Sequence, residues 1–361
     1  MPASIARVFL SRKLPARRAL SSPCLAELDT LLRAAADRRV GLVARLSALG
    51  DDCWRVFHGS AEGRPGLALD RYGPILLAQT FREPLDAADL ALLEGRARDL
   101  GLAFAWNHRG VRAHPGLPPD ADFEGDLVCQ ENQTRFAFRA RHRGRDPWLF
   151  LDLRAARARI AREARGRDFL NLYCYTAAAT AVAARHGARA CASIDFAASA
   201  LEVGARHLEL NGLAPALGGF LREDCIPAAR QLAGLAVKGR AAARPHARLA
   251  ARSFDLVLLD PPAKSVGPFG AVDVEHDHPA LLKPALLCLA PGGVLLATNH
   301  VASVSRATFA AVLARTAEKC GVELSSLEVE GPEEDFPASP GESEPAFKLA
   351  VARRAASPAA G

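Results

Sequence analysis

Three aspartates, Asp195, Asp224 and Asp260, each follow a short apolar segment of the chain. A carboxylate at the end of a strand can accept hydrogen bonds from both ribose hydroxyls of a nucleoside cofactor, and a second can accept from an adenine amino group. We therefore predict that Asp195 binds a ribose and that Asp224 binds an adenine. A single aspartate after a strand is more often the N-cap of a helix, so the prediction depends on the order of all three.

The third aspartate opens the tripeptide Asp260-Pro261-Pro262. Proline fixes its own φ and restricts the residue before it, so two consecutive prolines predict a rigid, extended turn at the end of the strand. The carboxylate of Asp260 and the carbonyl groups of the turn then face whatever binds there. We predict that all three residues take part in catalysis.

These residues need a framework that brings strand ends together, and the sequence from residue 168 onward predicts one. Apolar runs typical of buried strands alternate with segments of helical period. The alternation predicts an α/β fold with a mostly parallel sheet, whose ligands bind at the carboxyl ends of the strands. The predicted strands are 169–173, 191–195, 220–222, 254–260 and 293–299, and the predicted helices are 177–184, 197–211 and 280–289.

The N-terminal part of the chain has a different pattern. Residues 1–50 and 85–100 have helical spacing of apolar residues, and short strand-like runs lie between them. Residues 109–126 are rich in proline and glycine, which is typical of a linker or surface loop. We predict a smaller N-terminal α+β domain over residues 1–130 and the α/β domain over residues 131–356.

The charge balance favours a polyanionic partner. The chain has 46 lysines and arginines against 40 aspartates and glutamates, a formal net charge of +6, although a general enrichment in arginine gives the same balance. Residues 139–145, 154–167 and 237–252 are strongly basic, and we predict that they contact nucleic-acid phosphates. A solvated loop is the alternative for the last segment. Its arginines recur every four residues and would share one helix face: Arg240, Arg244, Arg248 and Arg252.

The eight cysteines form no C-x-x-C pair and do not cluster with histidines. This spacing argues against a zinc site and against a disulfide framework, and scattered thiols suit a reducing compartment. Charged residues interrupt the first 18 positions, and no run approaches the roughly 20 apolar residues of a membrane span. We predict a cytoplasmic protein with no metal and no membrane association.

Several motifs together resemble a family of bacterial large-subunit ribosomal RNA methyltransferases. Residues 169–176 are similar to its cofactor loop, and residues 208–213 and 259–262 are similar to its later motifs. Phe150–Arg154 resembles its entry motif, and residues 62–73 resemble its preceding small domain. The resemblance implies a Rossmann-like class I methyltransferase fold, S-adenosyl-L-methionine as the cofactor and RNA as the substrate. The cofactor-binding residues it implies are Asp152, Arg154, Asn171, Tyr173, Tyr175, Thr176, Asp195, Phe196, Asp224 and Asp260.

Two branches of this family differ in the atom they methylate. Cytosine C5 must be activated by a cysteine thiolate, which that branch carries in the turn after the fifth strand. This chain has Thr298-Asn299-His300 there, and Cys288 lies in a predicted helix. The other branch methylates guanine N7, which needs no covalent activation, and its corresponding turn contains asparagine. We therefore predict direct transfer to guanine N7 of large-subunit ribosomal RNA, with Asn299 bound to the guanine edge and Asp260 accepting from its N1 or amino group.

The chain departs from the family at Ala177, where glycine is usual. Alanine has a Cβ and disfavours positive φ. This departure keeps a non-catalytic RNA-binding protein open as an alternative. A cytosine-C5 methyltransferase and a small-molecule methyltransferase are the other two alternatives.

Overall fold

The computed structural model describes residues 23–109, 127–140, 146–238, 242–267 and 270–356. The chain divides into two compact units. The first comprises residues 1–133, 137–151 and 334–341, and the second comprises residues 134–136, 152–333 and 342–361. This division differs from the boundary predicted at residue 130, because two later segments cluster with the first unit. Local sequence patterns do not show which unit a returning segment packs in.

A helix and a four-stranded sheet dominate the N-terminal unit. The strand order is β1-β2-β3-β4. The pairs β1-β2 and β2-β3 are antiparallel, and β3 and β4 are parallel and are connected in sequence by a helix. Asp86 caps that helix by accepting from two backbone N–H groups. The elements are α1 (Pro23–Ala48), β1 (Cys53–His58), β2 (Leu67–Tyr72), β3 (Ile75–Thr80), α2 (Ala87–Asp99) and β4 (Ala103–His108), followed by β5 (Leu127–Glu131) and β6 (Thr134–Phe138).

The C-terminal unit is built on a seven-stranded sheet in the order β14-β15-β13-β10-β7-β8-β9. All pairs from β13 to β9 are parallel, and β15 is antiparallel to both of its neighbours. The elements are α3 (Arg154–Glu163), β7 (Asp168–Leu172), α4 (Ala178–Arg185), β8 (Ala190–Asp195), α5 (Ala198–Leu210), β9 (Phe220–Arg222), α6 (Cys225–Leu232), β10 (Phe254–Leu259), β11 (Lys264–Gly267), β12 (Gly270–Asp273), α7 (Val274–Leu287), β13 (Leu289–Asn299), α8 (Arg306–Lys319), β14 (Leu324–Glu330) and β15 (Lys348–Arg354).

The order of the strands creates a crevice at the centre of this sheet. The chain runs from β7 outward to β8 and β9, and then returns to place β10 on the other side of β7. Ligands of open α/β sheets bind where the strand order reverses, outside the carboxyl ends of the strands. The predicted Rossmann-like fold is confirmed, and the segments after β7 and β10 lie at its reversal point.

The central strands are nearly continuous runs of buried apolar residues, as in sheets covered on both faces. Leu170, Val257 and Leu295 are each buried and belong to one core cluster together with residues of the surrounding helices. Among the described residues, no helix is long and apolar enough to cross a membrane.

The basic insertion differs from its predicted form. Residues 242–253 form turns and irregular backbone, so Arg244, Arg248 and Arg252 share no helix face, and Arg240 lies outside the described residues. Pro245 cannot continue a helix, which explains the difference. The guanidinium of Arg252 bonds the carboxylate of Asp168 at 2.9 Å and is not free for a phosphate.

Candidate active site

The loop after β7 has an uncommon backbone. Tyr173, Tyr175 and Ala177 have φ values of 60°, 48° and 52°. Each non-glycine residue in this left-handed region costs about 1–2 kcal/mol, and such strain concentrates at functional sites. The loop runs into the first turn of α4, whose N-cap Ala177 makes no side-chain cap. The N-terminus of a helix favours an anionic group, so the loop suits the carboxylate end of a cofactor.

The methyl group of Ala177 packs against Gly204 of α5, which has no side chain. A Cβ built on Gly204 of α5 would lie 2.9 Å from the Cβ of Ala177 and 3.0 Å from the ring of Phe220. Ala177 itself is buried. The missing side chain of Gly204 therefore makes room for the methyl group of Ala177.

Replacing Gly204 by alanine should destabilise the C-terminal unit by about 1–3 kcal/mol, because the added methyl overpacks this contact. The same replacement in an Ala177→Gly background should cost about 1 kcal/mol less, since one of the two clashing groups is gone. Denaturant unfolding of the four proteins of this cycle measures the difference. A coupling energy of zero would contradict the close contact.

Asp195, the last residue of β8, is hydrogen-bonded to the cofactor loop that follows β7. Its Oδ2 accepts from the backbone N–H of Tyr175 and its Oδ1 from that of Ala197, both at 2.9 Å. The side chain is largely buried at the end of β8. Each oxygen keeps a second lone pair, so the carboxylate is still able to accept from ribose hydroxyls. Its role in binding the ribose stays a prediction.

Asp195→Ala should weaken S-adenosyl-L-methionine binding by about 1–3 kcal/mol, because two loop N–H groups and the ribose would lose their partner. Isothermal calorimetry measures the affinity. Glu202→Ala is the matched control, since Glu202 is an exposed carboxylate on α5. Unchanged affinity in the Asp195 variant would remove this strand end from the cofactor site.

Asp224 is the N-cap of α6, and its Oδ1 accepts from the N–H of Ile226 at 2.9 Å. Burial and the neighbouring Glu223 raise the pKa of this carboxyl, while the bond from Ile226 and the charge of Arg244 oppose the rise. Capping occupies one oxygen, so the predicted adenine contact remains available to the other. Phe196, after β8, is 48% exposed and presents an open ring.

An apolar pocket of about 160 Å³ lies at the ends of β7 and β10, between α6 and α7. The hydroxyl of Tyr173 is buried and has no hydrogen-bond partner among the described residues. The backbone N–H of Tyr173 instead donates to the sulfur of Cys225, at 3.1 Å. A largely apolar pocket at the ends of two central strands suits a flat ring with polar edge atoms. The lining residues are Leu172, Tyr173, Cys225, Ile226, Ala229, Arg230, Leu259, Asp277, Ala280, Leu281 and Pro284.

Asn171, in β7, and Thr176, in the loop after it, are both buried polar residues. Asn171 is buried in β7, and its amide donates to the hydroxyl of Thr180 at 2.9 Å; that hydroxyl in turn lies 2.8 Å from the hydroxyl of Ser193. Thr176 is also buried. The side chain of Asn171 therefore links β7 to α4 and, through Thr180, to β8. The predicted contacts of Asn171 and Thr176 with the cofactor stay predictions.

Asp260 lies beside the cofactor loop, because its backbone N–H donates to the carbonyl of Leu172 at 3.3 Å. Its Oδ1 accepts from the hydroxyl of Thr298 and lies 3.1 Å from Nε2 of His300. Of the two prolines that follow, Pro261 is buried and Pro262 is exposed. The end of β13 therefore fixes the orientation of the carboxylate at the end of β10.

Asn299 points into the protein. Only 2% of it is exposed; its Oδ1 accepts from the N–H of Val301 at 2.8 Å, and its Nδ2 lies 3.3 Å from Nδ1 of His278. These partners give Asn299 the structural role of closing the turn after β13. A direct contact with a guanine edge, as predicted, would require the side chain to leave both partners.

His300 belongs to the turn Thr298-Asn299-His300 that the sequence pointed to, but it was not among the predicted site residues. Its Nδ1 lies 3.8 Å from the carboxylate of Asp152, opposite the contact with Asp260. Burial by itself lowers the pKa of the ring, but the hydrogen bond to Asp260 and the charges of both carboxylates outweigh burial and the charge of Lys348, and the pKa is raised. His300 is the next residue after Asn299, and this position was the signal in the sequence that could have placed it in the site.

Most arginines of the segment 154–167 are not free for phosphates. Arg154 and Arg157 are each only 2% exposed, and Arg154 lies 3.5 Å from Glu333. Arg159 pairs with Glu330, and Arg167 pairs with Glu163. Arg154 and Arg157 are too buried for the predicted RNA contact, and at Arg159 and Arg167 a phosphate would compete with an acidic partner. Two arginines of the segment are exposed: Arg162 and Arg165.

Burial makes three cysteines of the C-terminal unit poor nucleophiles. Burial raises the pKa of Cys225 and Cys174 well above the usual value, and raises that of Cys288 to about 12. A thiol must be ionised to attack, and raised pKa values keep these protonated. Cys225 also donates to the carbonyl of Ile194 at 3.2 Å.

The sequence matches a known family over most of its length. The family model described as S-adenosylmethionine-dependent methyltransferase covers residues 54–341. The chain belongs to this family. It is therefore a methyltransferase whose cofactor is S-adenosyl-L-methionine, as the resemblance of its motifs implied.

Two curated relatives and one solved structure are representative of its similarities. A ribosomal RNA large subunit methyltransferase from Deinococcus radiodurans is 30% identical over 292 residues, 77% of this chain and 67% of that protein. Ribosomal RNA large subunit methyltransferase K/L from Pseudomonas aeruginosa is 38% identical over 284 residues, 73% of this chain and 35% of that protein. The chain thus spans about a third of the length of the K/L relatives.

A SAM-dependent methyltransferase from Streptococcus mutans superposes with a TM-score of 0.70 at 20% identity, over 94% of this chain and 83% of that one. This likeness shows a shared fold.

Proposed function

We propose that this methyltransferase modifies large-subunit ribosomal RNA at guanine N7 by direct transfer. The observation that carries the proposal is the pair of contacts to the Asp260 carboxylate, from the Thr298 hydroxyl and the His300 ring, with no cysteine of the described residues among its hydrogen-bond partners. The relatives from Deinococcus radiodurans and Pseudomonas aeruginosa, both named as ribosomal RNA methyltransferases, support the choice of RNA.

The chemistry of guanine N7 suits this group of residues. The nitrogen carries an exposed lone pair and no proton, so transfer needs neither a covalent adduct nor a strong base. The protein's task is to hold the ring in line with the methyl donor, which is catalysis by proximity and orientation. The carboxylate of Asp260, oriented by Thr298 and His300, would accept from N1 or the amino group of the guanine.

The residues around the reversal point fit S-adenosyl-L-methionine. The largely apolar pocket between α6 and α7, whose lining includes Tyr173, suits the adenine. Asp195 would hold the ribose, and the N-terminal turn of α4 would hold the carboxylate. The bound cofactor supplies an electrophilic methyl group on sulfur. Reading of the base requires an unpaired or extruded nucleotide.

Nucleoside mass spectrometry of ribosomal RNA from a strain lacking this gene tests the proposal. We expect loss of one 7-methylguanosine from the large-subunit RNA, restored by the wild-type gene. Loss of a 5-methylcytidine instead would restore the cytosine alternative, and an unchanged nucleoside profile would overturn the choice of ribosomal RNA.

A trapping experiment tests direct transfer separately. An enzyme that acts on C5 passes through a covalent adduct, so 5-fluorocytidine-containing RNA would remain attached to it. We expect no adduct with this protein on denaturing gels. We also expect Cys225→Ala, if folded, to retain the chemical step, because burial keeps that thiol protonated.

A further inference from the structure

The imidazole of His300 lies between two carboxylates that come from different parts of the C-terminal unit. Asp260 follows β10, and Asp152 belongs to the short 3-10 turn before α3. The ring contacts the first through Nε2 at 3.1 Å and faces the second through Nδ1 at 3.8 Å. The three side chains are between 18% and 28% exposed, so solvent only partly screens their charges.

The surroundings hold the ring in this place. Phe347 packs edge-on against it, with the ring centroids 5.2 Å apart. The next residue, Val301, accepts through its carbonyl from the ammonium group of Lys348 at 2.6 Å, and Lys348 is only 1% exposed. The charged groups that face His300 are therefore Asp260 from the end of β10, Asp152 from the turn and Lys348 from β15.

Protonation decides what the ring can do here. The imidazolium has two N–H donors and can attract both carboxylates, whereas the neutral ring has one donor and presents a lone pair to the other carboxylate. The two carboxylates favour the charged ring, and Lys348 opposes it. With the ring charged, Asp260 is held from two sides, by His300 and by the hydroxyl of Thr298.

We propose that His300 is a positioning residue for methyl transfer: its charged ring, held by Asp152, orients the Asp260 carboxylate that aligns the target base. This inference rests on the proposed function only in the role given to Asp260. It follows that transfer slows as the pH rises above the pKa of the ring, while cofactor binding at Asp195 is unaffected.

The first test is an NMR titration of the His300 ring in the full-length protein. We expect a pKa above the usual 6.5, and we expect Asp152→Asn to lower it by about one pH unit, because one of the two attracting charges is removed. A pKa at or below 6.5 in the wild-type protein, or no change in the variant, would overturn the proposal. This readout needs no RNA.

The second test is a pH profile of single-turnover methylation with saturating S-adenosyl-L-methionine, on ribosomal RNA from the strain lacking the gene. The wild-type rate should fall on the alkaline side. His300→Gln should lose that dependence and should be slower by about tenfold to a hundredfold at pH 7, with cofactor affinity within twofold of wild type. His276→Gln, at an exposed histidine of α7, is the matched control and should keep the wild-type profile.

The outcomes separate the positioning role from the choice of base. An alkaline limb that persists in His300→Gln, or a rate within twofold of wild type, would overturn the positioning role. If the nucleoside analysis identifies another methylated base, the pH profile is measured on that base. The proposed function can then fail while the role of His300 is still decided by the titration and the profile.

Discussion

Replacing Asp260 by alanine should lower the rate of methyl transfer by about 100-fold while leaving the protein folded. The carboxylate is the fixed group at the end of β10, with Thr298 and His300 both directed at its Oδ1. Its loss would free the base to move, and a misplacement of about 1 Å is enough for a change of this size. Single-turnover assays on the unmodified ribosomal RNA measure the rate.

A matched control lies on the same strand. Asp255 is at the start of β10, where its carboxylate accepts from the N–H of Asp168 at 2.9 Å and from Arg189 at 3.2 Å. Asp255→Ala removes a strand carboxylate without touching the carboxyl ends of the sheet, so the folded protein should transfer methyl groups at the wild-type rate. Equal rates in both variants would mean that Asp260 does not orient the base.

Acid should destabilise the C-terminal unit through His278. The side chain is 3% exposed, its ring stacks on Phe309 at 4.9 Å, and burial lowers its pKa to about 4. The unfolded chain has the usual value near 6.5 and therefore binds more protons between pH 6.5 and pH 4. The stabilisation is present above pH 6.5 and is lost as the pH falls, by about 3 kcal/mol at pH 4.

Denaturant unfolding of wild-type protein and of His278→Gln at pH 7.5 and pH 4 isolates this contribution. Glutamine does not titrate, so the stability difference between the two proteins should shift by about 3 kcal/mol in favour of the variant on acidification. His276→Gln changes an exposed histidine of the same helix and should show no comparable shift. A constant difference between wild type and His278→Gln would show that the buried ring is able to take up a proton.

The alternating strands and helices from β7 to β13 and the aspartates at the strand ends were largely predictable. Parallel strands bring their carboxyl ends to one edge of a sheet wherever they lie in the sequence. The helix α6, the strands β11 and β12 and the elements after residue 299 were not predicted. Side-chain partners were less accessible. Asn299 was predicted to face a base, yet its polar groups bond Val301 and His278. His300 acquires its importance from Asp152, which is remote in sequence. Neither contact follows from local pattern, since both depend on how distant segments pack.

The arginines of residues 154–167 give a second example. The sequence shows only that these residues are basic. It does not distinguish an arginine that packs over a core from one that is exposed and able to bind a phosphate. The acidic partners of Arg154 and Arg159, Glu333 and Glu330, come from the far end of the unit. Only the packed structure distinguishes ion-paired arginines from free ones.

Ala177 and Gly204 are so close that only one of the two positions has room for a methyl group. This contact constrains the order in which the two residues can be substituted during evolution. A lineage that first acquires glycine at 177 opens room, and position 204 is then freer to gain a side chain. The reverse order passes through an intermediate with two methyl groups 2.9 Å apart. A methyl group at position 204 is therefore expected only in descendants in which residue 177 has already become glycine and the ring of Phe220, 3.0 Å from the same place, has shifted or been replaced.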